Sequence, residues 1–222
     1  MHITTKLTLA VTALALSSAL AALAEGPVRN QDGFLIADWI VDADGNPLDD
    51  PSDLVYDLDG ACPGEPSALV LKPNGQPLTF GEFTQASGRA SAKCTTPGTH
   101  VVIKASGLIP MGVYTVWLLT FDGSGNFIGE GSLGAPDGSQ NAFTASASGR
   151  AALSVIQKAG PLSEFGEVTN CLFDEGSWLL AIVYHPDGKT YGPTPGPLAV
   201  PGDLSTVQYC YFIEHLGFEF VQ

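Results

Sequence analysis

Thr99–Phe121 reads THVVIKASGLIPMGVYTVWLLTF, and the fold turns on how this stretch is read. Val101, Val102 and Ile103 are β-branched side chains, which pack well on a pleated surface. Gly107 and Pro110 then break the run. Val113–Phe121 is again rich in β-branched and aromatic residues, so the whole reads as strand, tight turn, strand. Alternation divides the second strand into two faces. Val113, Thr115, Trp117, Leu119 and Phe121 share one, while Tyr114, Val116, Leu118 and Thr120 share the other. Ser177–Pro197, SWLLAIVYHPDGKTYGPTPGP, echoes this, with apolar residues on both faces of its strand. A strand with one wet face alternates more cleanly. These two are therefore expected to be central strands whose outer face is covered, either by the N-terminal segment of the chain or by a partner.

Outward from this centre, the N-terminus reads as a processing segment. Lys6 supplies the positive start, Leu7–Leu23 is almost wholly small and apolar, and Ala22-Leu23-Ala24 is a cleavage site before Glu25. Residues 1–24 are thus expected to be a signal peptide. The mature chain is expected to be secreted or periplasmic, with no transmembrane segment. The 222-residue chain carries 9 Lys and Arg against 23 Asp and Glu, a formal charge of −14. Such acidity makes nucleic acid an improbable partner, because phosphate binding needs a basic footprint. It fits solubility or divalent-cation binding.

Residues 25–60 form an acidic N-terminal segment, and residues 61–222 are expected to make one β-sandwich domain. Phe34–Val41 is a candidate first strand and Ser67–Lys72 a short one, followed by a Pro73-Asn74-Gly75 turn. Phe80–Cys94 is small and polar and reads as loop with one edge strand. Asn141–Ile156 reads as two short strands about Ser148-Gly149-Arg150, and Pro186-Asp187-Gly188 as a hairpin turn. Tyr191–Gly202 is a proline-rich extended connection, and Thr206–Phe220 closes the domain. No helix is expected after residue 24. Cys62, Cys94, Cys171 and Cys210 are an even set in an exported chain, so two disulfides are expected. The favoured pairs are Cys62–Cys94 and Cys171–Cys210, each closing a modest loop.

Gly107-Leu108-Ile109-Pro110 followed by Tyr114-Thr115-Val116-Trp117 resembles the Gly-Leu-x-Pro…Tyr-x-Val pattern of fibronectin type III and other immunoglobulin-like domains. Tyr184-His185-Pro186-Asp187-Gly188 with Tyr191-Gly192-Pro193 resembles secreted bacterial β-proteins. The resemblance implies an all-β, immunoglobulin-like antiparallel β-sandwich, here with an acidic N-terminal extension. It implies no activity.

Candidate chemistry is sparse. Asp42, Asp44 and Asn46 alternate around Gly45 like the start of a calcium loop, but Asp53 stands where the twelfth-position Glu belongs. A plain Asp-Gly-Asn turn is the competing reading, so the cofactor expectation is none or calcium. His100, His185 and His215 each border a strand and would bind copper or zinc only if the fold gathered them. A blue-copper site would need Cys210, His215 and an axial Gln222. No Ser lies in a G-x-S-x-G elbow, and the acidic pair Asp49–Asp50 is of a kind usually solvated. Tyr184, Tyr191, Tyr209 and Tyr211 can line a sugar-binding face, although packing is the commoner use of such rings. The expectation is an exported non-catalytic protein with a binding or adhesion role at or outside the cell envelope, its ligand a protein or carbohydrate. The alternative is a copper or zinc protein, or a metal-dependent hydrolase using the three histidines.

Overall fold

The two apolar stretches lie side by side. In a computed structural model of the chain, Val113–Phe121 and Ser177–His185 pair antiparallel, from Ser177 opposite Phe121 to His185 opposite Val113. The structure describes residues 26–57, 68–174, 176–197 and 209–221. The expected signal peptide (residues 1–24), Cys62, residues 198–202 of the proline-rich connection and Gln222 lie outside them.

The described strands are, in order, β1 (Arg29–Asp32), β2 (Phe34–Leu35), β3 (Ile40–Val41), β4 (Tyr56–Asp57), β5 (Ala68–Leu69), β6 (Ser87–Thr95), β7 (Gly98–Ser106) and β8 (Val113–Phe121). They continue with β9 (Phe127–Ser132), β10 (Ala142–Thr144), β11 (Ala151–Lys158), β12 (Gly160–Pro161), β13 (Glu167–Val168), β14 (Ser177–His185) and β15 (Ile213–Phe220). A four-stranded sheet runs β1-β6-β7-β11, and a six-stranded sheet runs β10-β8-β14-β15-β2 with β9 also on β8. A third sheet joins β3, β4 and β5, and β12 pairs with β13. The chain is all-β with antiparallel pairing.

The two main sheets share one core. The smaller sheet contributes Ala90, Ala92, Val101, Ile103 and Val155; the larger contributes Tyr114, Leu118, Trp178, Leu180, Phe218 and Phe220. The small Ala90 and Ala92 of β6 thus share the core with the Trp178, Phe218 and Phe220 rings, and mixing small with large side chains is how facing layers reach close packing. Trp178 stacks on Phe220 at 3.8 Å between ring centroids. A Cβ on Gly88 would lie 2.8 Å from the Lys104 carbonyl and 3.0 Å from the Phe218 ring, so only glycine fits there.

The outer face of the larger sheet is covered from within the chain. Trp117, Ala181 and Val183 are buried there, with Ile36, Leu119 and Phe212 packed against them. Ile36 follows β2, so the N-terminal segment supplies part of the cover, and Phe212, just before β15, supplies another part. Residues 29–35, read from sequence within an acidic extension, run through both sheets: β1 pairs with β6 and β2 with β15.

Three sequence expectations need correction. Phe80–Phe83 is a helical turn, held by a capping box in which Thr79 and Glu82 satisfy each other's backbone N–H. Leu172–Asp174 is a 3₁₀ turn. Ser87–Thr95 is a full nine-residue strand paired on both sides rather than a loop with an edge strand. Its Ser, Gly and Ala have poor strand propensity, and its conformation comes from its neighbours and from the rings that need small residues opposite them. The favoured disulfides are also overturned: Cys94 bonds Cys171, 77 residues away. Cys94 lies at the end of β6, where Thr99 Oγ1 accepts from the Leu172 N–H at 2.9 Å and brings the second cysteine alongside. Cys210 is disulfide-bonded as well, which removes the thiolate a blue-copper site requires. Among the described residues no helix is long and apolar enough to cross a membrane.

Candidate functional site

The strands separate charge by sheet. Those of the smaller sheet carry Arg29, Arg89, Lys93, Lys104 and Lys158 and a single carboxylate, Asp32. Those of the larger sheet carry Glu130, Glu214 and Glu219 and no Lys or Arg. Cross-strand register then fixes where the cations point. Asp32, Arg89, Lys104 and Ala152 form one row across the smaller sheet; Asn30, Ser91, Val102 and Ser154 the next; Lys93, His100 and Ile156 the third; Thr95, Gly98 and Lys158 the fourth. Their neighbours Ala90, Ala92, Val101 and Ile103 point to the core, so by alternation these rows line the opposite, outer face. Arg89 Nε donates to Asp32 Oδ1 at 2.9 Å.

A cleft of about 490 Å³ opens on this face, lined by His100, Gln140, Ser154, Val155, Ile156 and Lys158. His100 Nε2 lies 2.9 Å from Ser154 Oγ. A hydroxyl beside an imidazole is the pairing a hydrolase uses, yet two features argue otherwise. Ser154 sits in mid-strand, where its backbone belongs to the ladder with β7, not at a turn whose free N–H groups would hold an oxyanion. Among the described residues no carboxylate bonds His100 to orient it. The cleft offers an ammonium, an imidazole, a hydroxyl and an amide to a polar ligand.

The other two histidines lie elsewhere and are buried. His215 is the extra residue at a register shift between β14 and β15, since Leu216 faces Ile182 and Glu214 faces Val183. Such a bulge re-aims a side chain. Here the imidazole turns into the core and stacks on Phe83 at 4.2 Å. Its Nε2 lies 2.8 Å from the Phe83 carbonyl, so the proton is on Nε2. Nδ1 then accepts from Tyr114 Oη at 3.4 Å, and Tyr114 Oη accepts from the Ile109 N–H at 2.8 Å. His185 Nε2 lies 2.8 Å from Thr115 Oγ1, which also accepts from Trp117 Nε1 at 2.8 Å. One proton is shared between the Thr115 hydroxyl and Nε2, while the Trp117 N–H occupies another lone pair of the hydroxyl oxygen. The Tyr211 backbone adjoins the ring and favours its proton, but Nδ1 reaches no full hydrogen bond. Burial pulls both imidazoles down to about 4, so both are neutral at physiological pH. Thr115 and His185 form a second hydroxyl–imidazole pair, but both are sealed from solvent.

The sequence-predicted metal ligands are thus dispersed. His100 is on an outer face, His185 at the end of β14 and His215 in the core. Among the described residues no three His, Cys, Asp or Glu are grouped to hold a metal ion. At Asp42, Asp44 and Asn46 the arrangement is that of the competing turn. Asp42 Oδ1 accepts from the Asp44 and Asn46 N–H groups at 2.8 Å each, and Asn46 Nδ2 donates to Oδ2 at 3.0 Å. These hydrogen bonds hold the Asp42 carboxyl below its ordinary range. Asp122 and Asn126 repeat the pattern in another hairpin loop, also with a positive-φ glycine in fourth place.

Of the four tyrosines Tyr184, Tyr191, Tyr209 and Tyr211, one is buried and three are half-buried. Tyr184 is buried and donates to the Leu71 carbonyl at 2.8 Å. Tyr191 and Tyr209 donate to Asp187 and Glu164. Tyr211, at φ 60°, lines a separate cavity of about 190 Å³ with Asp57 and Asp187. Glu130 carries no local sequence signal, yet burial, then Glu164 and Glu214, push its carboxyl up to about 7. The cationic face does have a sequence signal: Arg89 and Lys93, His100 and Lys104, and Ser154 and Lys158 are each four residues apart, an even spacing that puts both members on one side of a strand. Compared with protein-family models, with curated proteins and with solved structures, the chain matches none.

Proposed function

We propose that this chain is an exported, non-catalytic protein with an immunoglobulin-like β-sandwich, acting by binding or adhesion at or outside the cell envelope. The observation that carries the reading is the contrast between the two outer faces. The larger sheet's outer face is covered by Ile36 and Phe212 of the same chain, whereas the smaller sheet's presents charged and hydroxyl side chains with a cleft among them. The Cys94–Cys171 bridge accords with an oxidising compartment. The shared core between two antiparallel sheets and the Gly107–Pro110 turn, where Tyr114 Oη is bonded to the Ile109 N–H, accord with the immunoglobulin-like reading.

The test is retention of the mature protein, residues 25–222, on immobilised neutral and acidic polysaccharides and on washed cell-envelope material. Reversible, saturable retention on at least one of these supports a binding role. No retention on any of them, at low salt and with the disulfides intact, overturns it.

A further inference from the structure

From the outer face of the four-stranded sheet we infer a docking surface for a carboxylated polysaccharide, a chain of sugars bearing about one acidic group per residue; this rests on the binding role proposed above. Charge complementarity comes first. A protein of net charge −14 places Arg89, Lys93, Lys104 and Lys158 on one face with His100 among them, and the one carboxylate that face's strands contribute, Asp32, is paired with Arg89 at its end of the face. Screening within roughly 10 Å at moderate salt lets this local field act despite the overall charge.

The spacing fits an extended polymer. Arg89 and Lys93 are four residues apart on β6, roughly 13 Å, and the rows from Lys104 to Lys158 span six residues, roughly 20 Å. Cations this sparse suit one charge per sugar better than a densely sulfated chain. Between them lie hydroxyl and amide groups, namely Asn30, Ser91, Thr95 and Ser154, with Gln140 at the cleft. These are the donors and acceptors that sugar hydroxyls need. The cleft beside Lys158 and His100, at about 490 Å³, is large enough to seat part of the chain, with its carboxylate toward the ammonium.

The same face disfavours other partners. Its strand rows hold no Trp, Tyr or Phe, so bases find nothing to stack on, as single-stranded nucleic acid requires. Lysine is depleted and aromatic residues are enriched at the dry centres of protein interfaces, opposite to what is found here. Val102 and Ile156 are its large apolar residues, too few to anchor in a bilayer.

The experiment measures binding of the mature protein to sodium polygalacturonate, with dextran as the neutral arm and heparin as the sulfated arm. The expected result is binding to polygalacturonate that weakens about tenfold from 50 to 200 mM NaCl, as counterion release requires. The double variant Lys104→Gln/Lys158→Gln should weaken it by at least about tenfold. A control with the same charge change off this face, Lys72→Gln/Lys189→Gln, should shift it less than about twofold, because distant charges are screened. Binding of polygalacturonate that ignores the face variant overturns the location. Retention on dextran or heparin but not polygalacturonate overturns the ligand class and leaves the binding role standing. No retention on any polysaccharide or on envelope material overturns both.

Discussion

Acidification is the perturbation to which the two buried imidazoles should respond most directly. His185 and His215 are pulled to about 4 in the fold, against 6.5 when free. Between those values the unfolded chain binds protons that the folded chain refuses, so stability falls as pH falls. Each ring's contribution is fully present above about pH 6.5 and is lost progressively down to about pH 4. The difference corresponds to roughly 3 kcal/mol per ring, or about 1 kcal/mol per pH unit for each in the middle of the window. Glu130 acts in the opposite sense. Its carboxyl is raised to about 7 from 4.5, so its contribution is complete below 4.5 and disappears as pH rises through 7, offsetting about one histidine. The exposed carboxyls of Asp42, Asp50 and Asp122 are held low and act only at more acidic pH. Urea unfolding of the wild type, His185→Asn and His215→Asn at intervals from pH 7.5 to 4 isolates the ring contributions, because Glu130 cancels in the differences. Each variant should lose its disadvantage as pH falls, the gap closing by roughly 3 kcal/mol. If a variant fails to fold, NMR titration of the wild-type imidazoles replaces it. A gap that does not change with pH, or a folded-state ring titrating near 6 or above, refutes the reasoning.

Two further outcomes are expected. Gly107 and Gly45 both have positive φ, but a Cβ on Gly107 would meet the Gln85 carbonyl at 2.0 Å, while on Gly45 it meets nothing within 4 Å. Gly45→Ala should therefore cost about 1 kcal/mol for backbone strain alone, and Gly107→Ala should cost more than about 3 kcal/mol or prevent folding; equal effects in thermal unfolding would contradict the close approach. Peptide mapping without reduction should recover Cys94 joined to Cys171. Replacing both by serine should remove roughly 4 kcal/mol, as expected for so long a loop, and a fragment joining Cys62 to Cys94 would refute the pairing.

Strand identity was legible wherever the side chains themselves prefer the pleat. Val101–Ile103, Val113–Phe121 and Trp178–Tyr184 are β-branched and aromatic, and they form the strands expected of them. Two-sided apolarity correctly marked β8 and β14 as central and covered, and Asn141–Ile156 divided where Gly149 turns the chain. The candidate site was legible only in part. By type and position His100 reads as a metal ligand, whereas the lysines beside it lie on three strands far apart in sequence, and nothing local marks them as one group. The burial of His185 and His215 is not legible in the sequence, because it depends on Thr115, Phe83 and Tyr114 arriving from other elements.

By itself, then, the sequence determined the β-class, the central pair of strands and the turns, since these follow from local sterics and alternation. Tertiary structure decided what depends on contacts between distant segments. Ser87–Thr95 became a strand because both neighbours supply its ladder and the facing rings demand small side chains. Cys94 found Cys171 because β6 ends where the 3₁₀ turn docks, a proximity that loop length does not encode. The gathering of cations on one face was decided jointly: alternation set the side for each strand, and only the register of β1, β6, β7 and β11 placed those sides together.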